Sequence, residues 1–305
     1  MEAENGMSLS TILSNISRLV LIWCLMLHAD AAEPLLRPYV LSSNVQGDMV
    51  KTVIELKEAL TAGGFQLLGE YSPDANRHVI VVTNDYLRRL AAEEASALFS
   101  VPQRIGITRF EGRLQIAYTN PDYQKYAFRI KGDLEPVRVQ LKNILGEQET
   151  FGSSRGLTAS VLSGYRYSYG MEQFDDFLYL GRFGSQTRAL KVIEEGLRSG
   201  RGGVNVVFRA EIPGSAVSLF GVALKEGAGS DQAVIDAVDI QPLKHTPRFP
   251  YILVVRKGEI FALHPRFTLP LDFPDLERTG RYSFTGLIKV LGAIEESLHS
   301  LLNDR

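Results

Sequence analysis

The chain has 305 residues, a formal net charge of −2 at pH 7 and one cysteine, Cys24. A nearly neutral chain without a block of basic residues lacks the charge pattern that nucleic acid or an anionic membrane surface requires. One cysteine excludes an internal disulfide, so the fold must be stabilised by packing, for which a chain of this length is sufficient.

The amino terminus, residues 1–31, is predicted to be a cleaved signal peptide. Leu19–Leu27 is an apolar run of the length of a signal core and too short for a stable membrane anchor, and an A-x-A pattern ends at Ala31. Its start is left open between Met1 and Met7. Cleavage would remove the cysteine and leave equal numbers of acidic and basic residues, and the predicted location is periplasmic or secreted. A buried amino-terminal helix or an uncleaved anchor is the alternative.

After a short lead-in, the first half of the chain predicts alternating helices and strands. Capping residues, glycines and apolar spacing mark a helix from Asp48 to Gly63, strands Phe65–Tyr71 and His78–Thr83, a helix from Asn84 or Asp85 to Leu98, a hairpin of Ile105–Phe110 and Leu114–Tyr118, and a helix from Leu134 to Leu145.

The second half predicts the same order. The residues Leu190, Ile193, Leu197 and Gly200 repeat the spacing of Val53, Leu56, Leu60 and Gly63. The predicted elements are a helix from Ser185, strands Val204–Ile212 and Ala216–Leu224, a helix over Asp231–Val238, a hairpin of Tyr251–Val255 and Ile260–His264, and a closing helix that carries Ile294 and Leu298.

Each half therefore predicts an α-β-β-α-β-β-α unit with a mostly antiparallel sheet. The predicted fold class is α+β, with two tandem units that form a pseudo-twofold pair, because pairing buries sheet edges and faces that a single unit exposes. The predicted domains are a signal peptide (1–31), a first unit (32–147), an aromatic linker (148–184) and a second unit (185–305).

The predicted linker is too aromatic to be disordered. Its tyrosines include Tyr165, Tyr167 and Tyr169, followed by Phe174 and Phe177. The favoured interpretation is packing across the junction between the units. The alternative is an aromatic wall of a ligand cleft, in which Tyr167 and Tyr169 would contact the ligand.

The second-unit hairpin carries the most suggestive polar residues. His245 and His264 flank its two strands, so they could approach each other. The two imidazoles could bind a divalent metal together with a third ligand that the sequence does not name, or act with Glu259 as general acid and base. The alternative is two histidines bonded to backbone groups at strand ends. In the first unit, Tyr118 stands in the position of His264.

Three more residues near this hairpin are candidates for ligand binding: Arg266, Arg248 and Tyr251. A guanidinium group binds a carboxylate or a phosphate well. Other patterns carry less chemistry. Gly200–Gly203 follows a helix and precedes a strand, the reverse of a phosphate loop, and Asp272 with Asp275 is a carboxylate pair without a visible partner.

Several strings in both halves resemble a bacterial group related to the family called domain of unknown function 302 (DUF302). They are Val82–Asp85, Tyr118–Pro121, Phe220–Leu224, Pro250–Val255, Gly258–His264, Phe273–Leu276 and Ala293–Glu296. The resemblance implies a small α+β unit that tends to pair. It brings no established catalytic residues.

The leading functional hypothesis is a periplasmic module that binds a small ligand, or another exported protein, between the two units. The alternative is a hydrolase- or lyase-type enzyme, metal-assisted or not, that uses His245 and His264. No cofactor is evident from the sequence. Whether the protein is an enzyme is left open, with a preference for a protein that is not one. A homodimer is one alternative for the oligomeric state.

Overall fold

Two antiparallel sheets, each with helices from its own half of the chain, form the fold of the unit that runs from Leu35 onward. The structure is a computed structural model that describes residues 33–280 and 283–303. The predicted signal peptide lies outside the described residues.

Within the described residues, the first half contains six strands and four α-helices. In chain order they are β1 (Tyr39–Val45), α1 (Met49–Ala62), β2 (Gln66–Tyr71), β3 (Arg77–Thr83), α2 (Asp85–Glu93), β4 (Gln103–Phe110), β5 (Arg113–Thr119), α3 (Pro121–Ala127), α4 (Glu135–Leu145) and β6 (Glu149–Phe151). A short 3-10 helix, Ala95–Ser100, follows α2.

A connecting helix, α5 (Ala159–Ser163), leads to the second half. Its elements are β7 (Leu178–Arg182), α6 (Gln186–Arg198), β8 (Val204–Glu211), β9 (Val217–Leu224), α7 (Asp231–Val238), β10 (Tyr251–Arg256), β11 (Glu259–Ala262), α8 (Pro265–Asp272) and α9 (Ile288–Ser300). Short 3-10 helices occur at Arg201–Gly203, Thr246–Arg248 and Thr285–Leu287.

The two sheets share one topology. The first has the strand order β2-β3-β4-β5-β1-β6, and the second has the order β7-β11-β10-β9-β8. Read in reverse, the second sheet repeats the order of the first, with β8, β9, β10, β11 and β7 in place of β2, β3, β4, β5 and β1. The tandem α+β arrangement predicted from the sequence is confirmed, and all pairs of named strands are antiparallel.

Relative to the predicted α-β-β-α-β-β-α order, the first half has two more strands and one more helix, and the second half has one more of each; the additional strand β6 pairs with β1. The other extra strands, β1 and β7, precede the first helix of each half and pair with β5 and β11. The extra helices, α3 and α8, follow the hairpins. Strand β7 lies inside residues 148–184, predicted as the linker, where its five residues are too short for a clear alternating pattern.

Local sequence explains where the helices begin. The side chains of Asp48, Asn84, Ser185 and Ser230 accept hydrogen bonds from backbone N–H groups in the first turns of α1, α2, α6 and α7. Such caps satisfy donors that the helix itself cannot use. The predicted starts of these four helices are confirmed.

The two halves meet where equivalent strands bulge. The register of β2 shifts between Leu67 and Gly69, and that of β8 shifts between Val206 and Phe208. A Cβ atom placed on Gly69 would lie 2.3 Å from the carbonyl oxygen of Val207. Equivalent segments of the two halves thus contact each other, as expected for two units related by a pseudo-twofold axis.

The aromatic residues of the predicted linker pack between the halves. The ring of Phe174 lies 5.7 Å from that of Phe128 in the first half and 6.2 Å from that of Phe267 in the second. Phe177 contacts Phe99 and Phe261 in the same way. Phe174 and Phe177 therefore pack across the junction between the two halves.

None of the helices within residues 33–280 and 283–303 has both the length and the apolar character that crossing a bilayer requires.

Candidate functional site

The two histidines of the predicted site lie at opposite ends of one helix. His264 precedes α8 and caps it, because its Nδ1 accepts a hydrogen bond from the backbone N–H of Arg266. The Nδ1 of His245 lies 3.0 Å from the backbone oxygen of Asp272, the last residue of α8. An eight-residue helix is about 12 Å long, so the structure does not bring the two imidazoles together.

His264 belongs to a different cluster. Its Nε2 lies 3.7 Å from a carboxylate oxygen of Glu172 and 3.9 Å from one of Glu295, and Arg266 is 3.6 and 3.5 Å from the same two oxygens. Glu259 is paired instead with Arg182 on the neighbouring strand. The three candidate catalytic residues therefore have separate surroundings.

The distance between His245 and His264 also affects the metal site predicted from the sequence. Among the described residues, no group of three or more histidine, cysteine, aspartate or glutamate side chains is arranged to hold a metal ion. His245 and His264 therefore do not form a shared ligand set in the structure.

A cleft of about 760 Å³ lies beside His245, between the β6 edge of the first half and the segment that follows α7 in the second. We call it the junction cleft. Its apolar surface comes from Phe151, Ile240, Leu243 and Phe273, and its polar groups include His245, Arg37, Ser153 and Asp275. Its volume is within the range of small-molecule sites.

The loop after β6 is fixed by hydrogen bonds at the wall of this cleft. Arg37 donates from Nε to the carbonyl oxygen of Ser153 at 2.7 Å. Asp275 accepts from the Ser154 backbone N–H at 2.6 Å and from the Ser153 hydroxyl at 3.2 Å. These contacts join the first half to the second, so this wall of the cleft is pre-formed.

His245 is held in a stack of rings. Its imidazole lies parallel to Phe273, with 4.4 Å between centroids, and it contacts Tyr39 and Phe151 at 5.1 and 5.8 Å. Its backbone N–H donates to a carboxylate oxygen of Asp239. The residue is fixed from three sides before any ligand binds.

Burial lowers the pKa of His245 to about 4, and the nearby Asp239 carboxylate only partly opposes this effect. The imidazole is therefore neutral near pH 7. In a neutral ring that faces a carbonyl oxygen, Nδ1 carries the proton and donates it, which leaves Nε2 as a hydrogen-bond acceptor. His245 therefore lines the junction cleft as a neutral imidazole packed among aromatic rings.

Arg248 and Tyr251, both candidates from the sequence, lie in a buried polar cluster behind this stack. Arg248 is 5% exposed, and its Nε is 3.4 Å from a carboxylate oxygen of Asp272. Its Nη1 donates to the hydroxyl of Tyr251 at 3.3 Å. Arg104 of β4 donates to the backbone oxygen of Arg248 at 3.0 Å.

The remaining candidates are near the surface. The Tyr167 hydroxyl donates to the backbone oxygen of Leu276, and its ring packs against Phe284. Tyr169 is 98% exposed and Arg266 is about half-exposed. These three residues do not line the junction cleft.

Sequence reasoning did not find Tyr39, Arg104 or Asp239 and did not resolve Asp272. The carboxylates of Asp272 and Asp275 diverge: one faces Arg248, and the other binds the loop after β6. The signal available in the sequence was the position of these charged residues at element ends: Arg104 near the start of β4, Asp239 directly after α7 and Asp272 at the end of α8. Their partners are far away along the chain, so spacing could not identify them.

Comparisons with known proteins add one similarity. No family model matches the chain, and no curated protein matches it. Among solved structures, the chain is similar to one described as the crystal structure of uncharacterized conserved protein DUF302 from Bacillus stearothermophilus. The identity is 17% and the TM-score 0.31, and the match covers 35% of this chain and 94% of that one.

Proposed function

We propose that this is an exported protein, periplasmic or secreted, that binds a small organic molecule in the junction cleft, and that its halves are two DUF302-like domains in tandem. The observation that carries the proposal is a ligand-sized cleft between the halves, beside a buried neutral imidazole. Sites of this kind combine apolar walls with a few fixed polar groups and occur often where two units meet.

The chemistry of the cleft indicates the class of ligand. Phe151, Phe273 and Leu243 offer apolar contact to a flat or aliphatic body. His245 is neutral and offers an acceptor to a hydroxyl or amide N–H group, because Nδ1 is already used. A molecule with an apolar body and one donor group fits these surroundings.

The test uses 8-anilinonaphthalene-1-sulfonate, a fluorescent probe with an apolar ring system, and two matched variants. Ile240 is 51% exposed and lines the cleft, whereas Ile288 is 53% exposed and lies on α9, away from it. We expect saturable binding to the wild type, at least tenfold weaker in Ile240→Glu and unchanged in Ile288→Glu. Near-UV circular dichroism controls for loss of packing, which also increases binding of this probe.

Equal losses in the two variants, or no saturable binding to the wild type, would refute the cleft as a ligand site. Native mass spectrometry of the full chain, isolated from the periplasm of an expression host, then looks for a natural ligand bound to the protein. Recovery of the protein from this compartment tests the proposed periplasmic location. A co-purified protein, or a homodimer that Ile240→Glu dissociates, would favour the interaction alternative over a small ligand.

A further inference from the structure

Two arginines from different halves lie together in the interior. Arg104 belongs to β4, and Arg248 ends the 3-10 helix that precedes β10. Arg104 Nη1 donates to the backbone oxygens of Arg248 and Pro250 at 3.0 and 3.5 Å. These contacts fix the Arg104 guanidinium against the backbone of residues 248–250, and the two arginines line one cavity.

The two guanidinium groups are incompletely satisfied. Within the part of the chain that the structure describes, the buried Nε atoms of Arg104 and Arg248 have no hydrogen-bond acceptor, and the buried hydroxyl of Tyr39 has no partner of normal geometry. The distance of 3.4 Å from Arg248 Nε to Asp272 is an ion pair but not a well-formed hydrogen bond. Buried polar atoms in folded proteins almost always have partners, so these donors require an explanation.

A small cavity of about 50 Å³ adjoins both arginines. We call it the arginine cavity. Its polar lining is Arg104, Arg248, Tyr251, Thr268 and Asp272, and aromatic rings of Phe99 and Phe128 lie against it. Two cationic groups thus face one carboxylate.

One carboxylate in the cavity lining can balance only one of the two guanidinium charges. Burial raises the pKa of Asp272, although Arg248 and Arg104 oppose that effect. The next carboxylate, Asp231, is already hydrogen-bonded to the Tyr71 hydroxyl at 2.9 Å. Aromatic rings lie around the Arg248 guanidinium, with Phe249 at 4.7 Å and Tyr251 at 5.3 Å, which stabilises the cation but supplies no acceptor.

We propose that the arginine cavity is a binding site for a small carboxylate-type anion of about the size of formate. A guanidinium group donates parallel hydrogen bonds to such an anion, and an anion in this cavity would offset the second guanidinium charge, which Asp272 alone leaves unbalanced. The cavity volume admits a few non-hydrogen atoms and excludes an aromatic acid. This site is separate from the junction cleft and does not depend on the ligand proposed there.

The test is the line width of ¹³C-formate in nuclear magnetic resonance, titrated with the full chain. We expect saturable broadening by the wild type, at least tenfold weaker binding by Arg248→Met, and wild-type binding by Arg182→Met, an arginine with an 81% exposed side chain. Benzoate should not displace formate. Because Arg248→Met could unfold the junction, Thr268→Met serves as a second variant that fills the cavity and retains both arginines.

Three results would overturn the proposal. They are no saturable broadening by the wild type, equal broadening by a folded Arg248→Met or Thr268→Met variant, and displacement of formate by benzoate. The first would mean that ordered water occupies the cavity, for which it is large enough.

Discussion

His264 and Asn120 occupy equivalent places in the two halves. Each precedes a helix whose first residue is proline, and each accepts a hydrogen bond from the backbone N–H two residues later. Counting residues from the hairpin turns instead aligns Tyr118 of the first half with His264 of the second. Strand β11 is shorter than β5, however, so the chain reaches its helix two residues sooner and the imidazole replaces an amide cap.

The first prediction concerns this cap. His264→Ala should lower the free energy of unfolding by about 1 kcal/mol, the usual cost of losing a helix cap. His264→Asn should restore most of it, because asparagine serves at the equivalent position. Urea denaturation at pH 7 measures both. Asn120→Ala should cost more than His264→Ala, since Asn120 also donates to the backbone oxygen of Arg37, and a reversed ranking would contradict the equivalence.

The second prediction tests the contact between the bulges. Gly69→Ala should destabilise the protein by about 2 kcal/mol or more, because the new methyl group would overlap the backbone of Val207, which cannot rotate away. Gly164→Ala is the matched control, since a Cβ there meets nothing within 4 Å. Thermal unfolding compares the two. Similar melting temperatures would mean that β2 and β8 do not pack closely.

Much of the fold follows from local chemistry. Asp48, Asn84, Ser185 and Ser230 mark helix starts because capping depends on the next three residues alone. The strand bounds predicted for the two hairpins place their turns around Gly112 and Gly258, which have φ values of 74° and 83°, a conformation that favours glycine. Strand β7 was missed because it gains its stability from β11, about 80 residues later in the chain.

The site was less predictable for the same physical reason. The prediction placed His245 near His264 because both flank one hairpin, but the intervening helix α8 directs them to its opposite ends. Arg104 meets Arg248 only when the two halves have docked. Contacts of this kind depend on how sheets stack, and no spacing within one half encodes them.

The third prediction follows from the buried imidazole. In the unfolded chain His245 has a pKa near 6.5, and in the fold it is about 4, so the unfolded state binds more protons between these values. Stability contributed by this residue is therefore present at pH 7 and lost as the pH falls from 6.5 to 4, by about 3 kcal/mol. His245→Phe should lack this loss. Urea midpoints measured from pH 4 to 7.5 test it, and parallel curves for the two proteins would contradict it.

The fourth prediction has the opposite sign. Burial raises the pKa of Asp231 from 3.8 to about 6, although hydrogen bonds from Tyr71 and the Leu224 N–H partly oppose the effect. Here the folded state binds more protons between pH 3.8 and 6. This residue therefore contributes about 3 kcal/mol to the free energy of unfolding at low pH, and that contribution is lost as the pH rises through 6.

This gain offsets the loss from His245, so the two groups together contribute little net change of stability between pH 4 and 6. The Asp231→Asn variant lacks the gain and keeps the loss from His245, so on acidification it should lose stability relative to the wild type. The His245→Phe variant keeps the gain alone, so on acidification it should gain stability relative to the wild type. The double variant should return to the wild-type profile. If Asp231→Asn and wild-type profiles run parallel from pH 4 to 7.5, the carboxyl group of Asp231 does not titrate within the fold as its burial requires.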